Sequence, residues 1–149
     1  MKLKPSSRLP GLGITAANEL LKVHVSYGPL VQKLLKKFNP GTRRSWGVKG
    51  LVHITGGGFM DNIPRVLPEG LGCHIDATAW ACPEIFEWLQ SEGGVTDTEM
   101  RRTFNCGIGL IIIVPPEDAD QARKMLAASG ETAYPNGEIQ TGHAGEVFE

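Results

Sequence analysis

His53-Ile-Thr-Gly-Gly-Gly-Phe-Met-Asp-Asn-Ile-Pro-Arg-Val-Leu-Pro68 joins an apolar, β-branched strand end to three consecutive glycines and a helix-start signal. Leu51 to Ile54 has the character of a buried strand end, and Gly56, Gly57 and Gly58 are free to take positive φ or to let backbone approach a ligand. Asp61 to Val66 is expected to form a short helix with Pro64 in its first turn. That would aim the loop amides along a helix N-terminus, an arrangement that favours an anion such as phosphate. The competing reading is a tight strand-to-helix turn that needs glycine only for steric reasons. The stretch matches neither Gly-x-Gly-x-x-Gly nor the Walker pattern.

Working outward, Val48 to Ile54 reads as the strand feeding this loop, and Gly72 to Ile75 as another. Cys73 and His74 occupy adjacent strand positions and therefore opposite faces, which argues against a shared metal site. Upstream, Met1 to Gly13 carries loop chemistry (Pro5, Pro10, Gly11, Gly13) and reads, with the residues to 17, as an arm or loose segment before a domain spanning 18–149. Thr15 can cap a short helix over Ala16 to Lys22. Leu30, Val31, Leu34, Leu35 and Phe38 recur at helical spacing from about Pro29, with Lys33, Lys36 and Lys37 on the solvated face. Thr42 to Gly47 is a basic loop in which Arg43, Arg44 and Trp46 suit either a surface turn or a partner contact.

Downstream, Pro83 opens a helix whose Ile85, Phe86, Trp88 and Leu89 form an apolar side. Thr96, with Glu99 three residues on, marks a capping box for a further helix to Arg102. Phe104 to Val114 reads as a second apolar strand, punctuated by Gly107 and Gly109, where another backbone or a ligand can come close. Glu117 to Ser129 is an amphipathic helix stopped by Gly130, and Glu138 to Thr141 a last strand. Interleaved strands and one-sided helices give the expectation of a mixed β-sheet covered by helices.

The chain has 149 residues, 41% hydrophobic and 21% charged, enough for one core. A formal net charge of -1 offers no electrostatic case for nucleic acid, and no apolar run is long enough for a membrane span. Three cysteines without Cys-x-x-Cys spacing suggest neither a disulfide framework nor zinc, and point to a reducing compartment, the cytoplasm or an organelle interior.

Three blocks resemble one family. His53 to Pro68, Pro83-Glu-Ile-Phe-Glu-Trp-Leu-Gln90 and Met100-Arg-Arg-Thr-Phe-Asn-Cys-Gly-Ile-Gly-Leu110 are similar, in order and spacing, to motifs of the phosphoribosylformylglycinamidine cyclo-ligases, also called aminoimidazole ribonucleotide synthetases. The resemblance runs from about Leu20 to Ile139 and corresponds to that family's C-terminal domain, which implies a partly ferredoxin-like α+β fold. It implies ATP-driven ring closure of formylglycinamidine ribonucleotide in purine synthesis, with ATP and Mg²⁺ handled by an N-terminal domain that has no counterpart here. No cofactor is therefore expected in this chain except through a missing partner domain.

By the same resemblance, Thr55, Gly56, Gly57, Gly58, Asn62, Arg65, Thr103 and Asn105 match the substrate-binding cleft, where a ribonucleotide can lie. His53, at the end of an apolar strand, fits a hydrogen-bonded core histidine better than an acid or base. Two departures weaken the transfer of activity. The family's Ser-Gly-x-His-Ser-Asn-Gly stretch is absent, and its Trp/Tyr-Lys-Ile-Gly pattern is altered to Tyr134-Pro-Asn-Gly. The expectation is a chain inactive alone, a non-catalytic subunit whose former inter-domain face is covered by another protein chain. The alternative is a split cyclo-ligase completed by a separate ATP-binding chain.

Overall fold

A computed structural model describes residues 2–42 and 47–141. The expected basic loop, with Arg43, Arg44 and Trp46, lies outside the described residues. The elements run α1 (Ala16–Leu20), α2 (Gly28–Phe38), β1 (Gly50–His53), α3 (Gly58–Asn62), β2 (Leu71–Ile75), α4 (Glu84–Gly93), α5 (Asp97–Thr103), β3 (Leu110–Ile113), α6 (Pro116–Ala127) and β4 (Gly137–Thr141). The α+β class is as read from the sequence. The single mixed sheet is not: among the described residues the strands form two antiparallel ribbons, β1 with β3 and β2 with β4. Gly50 stands opposite Ile113 and His53 opposite Leu110, while Leu71 pairs with Thr141 and Ile75 with Gly137.

The β1–β3 ribbon separates two apolar clusters, and strand alternation decides which residue serves which. Val52 and Ile54, with Ile111 and Ile113, pack with Phe59, Ile63, Cys73 and Ile75. Leu51 and Ile112 point the other way, to Leu34, Phe38, Val48, Ala122 and Leu126 from α2, α6 and the approach to β1. A ribbon covered on both faces needs apolar residues at every position, so these strands read as continuous runs instead of alternating ones.

Helix α2 follows its periodicity closely, with Pro29 in its first turn and Leu34 and Phe38 buried at 1% exposure each. Its end is fastened by a residue that the sequence marks only as a helix stop. Asn39 Nδ2 donates to the Val48 carbonyl at 2.9 Å, and Asn39 Oδ1 accepts from the Val48 N–H at 2.8 Å. This pair of bonds ties α2 to the chain entering β1. Near the N-terminus, Leu9 is buried, and Arg8 and Thr15 form an antiparallel bridge that closes a turn before α1.

Three local expectations shift. Helix α3 begins at Gly58 and ends at Asn62, so Pro64 lies beyond it and not in its first turn. Pro83 stands at the N-cap of α4, one residue before the helix. The strand expected from Phe104 is confined to Leu110–Ile113, because positive φ at Cys106 (45°) and Gly107 (100°) turns the chain beforehand. The capping reading at Thr96 is met on one side, with its side chain accepting from the Glu99 N–H at 3.3 Å. No helix of the described residues is long and apolar enough to cross a membrane.

Candidate functional site

The glycine loop leaves β1 at His53 and enters α3 at Gly58. Gly57 and Gly58 both take positive φ, 97° and 56°, which most side chains resist. Their surroundings explain them further. A Cβ on Gly57 would stand 2.7 Å from Asp61 Cβ, and one on Gly58 only 1.9 Å from the Arg101 carbonyl oxygen. Helix α3 is thus pressed against α5, which carries Thr103 at its end. The structure brings the loop and the Arg101 to Asn105 segment together, although they lie more than 40 residues apart in sequence.

Asn62 is buried at 6% exposure and is the loop's internal brace. Its Nδ2 donates to the carbonyls of Gly58 (2.7 Å), Thr55 (3.3 Å) and Gly56 (3.3 Å), while its Oδ1 accepts from Arg65 at 3.3 Å. Such a residue shapes the loop from behind. Arg65, exposed, reaches back to Asn62. Asn105 Oδ1 accepts from the Gly107 N–H at 3.0 Å, an Asx turn that sets the bend before β3. Gly57, Gly58, Asn62 and Asn105 therefore have structural employment inside the chain.

Thr55, Gly56 and Thr103 differ. All three are exposed. Nothing lies within 4 Å of a Cβ built on Gly56, and its φ lies outside the left-handed range, so neither sterics nor backbone strain within the chain requires glycine there.

The remaining glycine expectations resolve onto side chains of this chain. Gly107 faces Pro83 Cδ at 2.7 Å, and Gly109 faces the Tyr27 hydroxyl at 2.1 Å from the Cβ position. Tyr27, in the segment before α2, carries no sequence signal for this contact. It also meets the ring of His53 edge-on at 5.9 Å between centroids. His53 itself is exposed at the end of β1, so the expected core histidine is corrected. Burial, with Glu131 nearby, raises the Tyr27 hydroxyl above its ordinary pKa.

A cavity of about 750 Å³ opens between β3, α6 and the β2–β4 ribbon, lined in part by Ile75, Ile111, Ile113, Leu126 and Ile139. None of Thr55 to Gly58, Asn62, Arg65, Thr103 or Asn105 lines it. Among the described residues no three His, Cys, Asp or Glu side chains converge as a metal site.

These motifs and their placement agree with a comparison across known proteins. The family model described as AIR synthase related protein, C-terminal domain, matches residues 5–148. The chain belongs to this family. It is 43% identical over 146 residues to the phosphoribosylformylglycinamidine cyclo-ligase of Citrifermentans bemidjiense, covering 98% of this chain and 40% of that protein. The corresponding enzymes of Bordetella petrii and Paraburkholderia phymatum are 53% and 54% identical over 101 and 100 residues, or 29% and 28% of their lengths. The chain thus spans well under half of the cyclo-ligases it matches.

Proposed function

We propose that this chain is the C-terminal part of a cyclo-ligase assembly, inactive in ring closure by itself, whose Thr55, Gly56 and Thr103 face receives a ribonucleotide. Gly56 carries this reading. It is an exposed glycine with open space beside it and no conformational need, next to two glycines that packing accounts for fully. A surface that stays bare without an internal reason suits close approach by something external. Thr55 and Thr103 supply hydroxyls at its rim, and the Asn62 brace holds the loop in shape before the ligand arrives, which lowers the ordering cost of binding.

In the resembled reaction an amide oxygen is activated by ATP and displaced by an internal amine, a process that depends on holding reacting atoms together. In this reading phosphate activation belongs to a separate ATP-binding partner, as the resemblance implies. A covering chain also suits the end of α1 and the residues after it, where Leu20, Leu21 and Val23 are 70%, 78% and 95% exposed.

The test is titration calorimetry with formylglycinamidine ribonucleotide on the full chain and on Gly56→Val. Binding that weakens at least about tenfold in the variant, a change of about 1.4 kcal/mol, with an unchanged urea midpoint, is the expected result. Equal binding by both chains refutes the role of Gly56, and ring closure by the purified chain alone refutes the need for a partner.

A second reading, a scaffold subunit that binds no ribonucleotide, draws on the packing roles of Gly57, Gly58 and Asn62. It predicts no calorimetric signal in either chain, and recovery of the native protein in an assembly without an ATP-binding cyclo-ligase chain.

A further inference from the structure

Two turns far apart in sequence run side by side behind the glycine loop. Trp80 stacks on Phe59 at 5.9 Å and donates its Nε1 proton to the Cys106 carbonyl at 2.9 Å. One residue further on, Gly107 lies so close to Pro83 that a Cβ there would stand 2.7 Å from the ring. Residues 80 and 83 therefore touch residues 106 and 107, and Cys82 and Cys106 fall within this paired stretch. Both cysteines line one cleft of about 220 Å³, together with Phe59, Trp80, Glu87 and Arg101. The Cys106 thiol donates long contacts to the carbonyls of Met100 and Phe104, at 3.8 and 4.0 Å, so no strong partner holds it away from that cleft. Both are half-buried and within reach of a small reagent, whereas Cys73 is closed in the core at 6% exposure.

We infer that Cys82 and Cys106 form a reversible disulfide pair, a modification site that closes under a low-molecular-weight disulfide and joins the Trp80 to Pro83 turn to the Asn105 to Gly107 turn. A disulfide forms readily only where the two backbones already run together, which the flanking contacts provide.

The exchange balances in two steps. The Cys82 thiolate attacks one sulfur of the small disulfide, releasing one small thiol and leaving a mixed disulfide on Cys82. The Cys106 thiolate then attacks the Cys82 sulfur and releases the second small thiol. Two protein thiols are oxidised, one small disulfide is reduced, and the two protons go to the released thiolates. Burial pushes the Cys106 thiol up to about 11, whereas the rise at Cys82, from burial and then from Glu87, is smaller. The first attack therefore starts at Cys82. Scarce thiolate makes the exchange slow near neutral pH, so the pair responds to sustained oxidation and not to a brief pulse.

The experiment equilibrates the full native chain in mixtures of reduced and oxidised glutathione, quenches with acid, and maps peptides by mass spectrometry without reduction. The same mixtures in concentrated urea give the reference for an unfolded chain. The expected product is a peptide linking Cys82 to Cys106, with Cys73 still a thiol, and an equilibrium constant for the link at least tenfold above that in urea. Glutathione on Cys82 with Cys106 unlinked, a link through Cys73, or equal constants in the two states would each overturn the inference. In Cys106→Ser, the expected product is Cys82 carrying glutathione; an unreacted Cys82 there refutes the assigned order of attack.

Discussion

Replacing Gly58 by alanine tests how the candidate site is built. Gly58 has φ 56°, and its missing Cβ would stand 1.9 Å from the Arg101 carbonyl oxygen, with the Arg101 and Arg102 carbonyl carbons at 2.8 and 2.9 Å. The left-handed conformation alone costs an alanine about 1–2 kcal/mol. The contact is with backbone, so no side chain can swing away. The end of α5 must retreat from α3 by roughly 1 Å, an overpacking cost of about 1–3 kcal/mol. The sum, about 2–5 kcal/mol, is a large part of the roughly 5–15 kcal/mol that holds a domain folded. Gly56→Ala is the internal control: its φ is unstrained and its surroundings are open, so it is expected to be neutral or to stabilise by up to about 1 kcal/mol. Urea titrations followed by far-ultraviolet circular dichroism give both values, provided the slope of the transition is shared. A Gly58→Ala midpoint equal to that of Gly56→Ala would refute the claim that α3 rests on the α5 backbone.

Two further outcomes follow from single contacts. Gly109→Ala places a methyl 2.1 Å from the Tyr27 hydroxyl but 3.0 Å from the ring carbon that bears it, so Tyr27→Phe is expected to recover at least about 0.5 kcal/mol of its cost in a double-mutant cycle; additive effects would show that the two do not meet. Burial raises the Cys73 thiol from 9.0 to about 11, so the unfolded chain loses this proton first and stability falls as pH rises from about 9 to 11. At about 1.4 kcal/mol per pKa unit the loss approaches 3 kcal/mol, and a pH series of urea midpoints should show it shrink in Cys73→Ala.

Legibility in the sequence followed the range of the interaction. Helix α2 and the Thr96 cap depend on neighbours within about four residues, and periodicity and capping chemistry expose such contacts directly. The β1 and β3 runs were visible as apolar stretches, but not their antiparallel pairing across more than 50 residues. The strand expected over Phe104 to Val114 was too long because apolar content says nothing of φ, and the turn at Cys106 and Gly107 is held by Trp80 and Pro83 from elsewhere in the chain. Tyr27 shows the same limit. Its hydroxyl lies in the space that Gly109 leaves open, and neither residue marks the other.

The three residues of the glycine triplet do not share one explanation. Three identical residues in a row invite one explanation, either a ligand cradle or a tight turn. The contacts divide them: Gly57 yields to the Asp61 side chain, Gly58 to the α5 backbone, and Gly56 to nothing inside the chain. The steric reading therefore holds for two positions, and the ligand reading has its support at the third. Asn62 joins the two, because the amide that stabilises the helix entry through Gly58 also fixes the carbonyls of Thr55 and Gly56. Loss of that amide in Asn62→Ala would leave the buried Gly58 carbonyl short of a donor, costing about 1–3 kcal/mol, and would loosen the rim at Thr55 and Gly56 from behind. Ribonucleotide affinity is then expected to fall with Asn62 although its side chain lies buried beneath the loop. An affinity unchanged by Asn62→Ala, in a chain that still folds, would separate the brace from binding and leave it a role in packing alone.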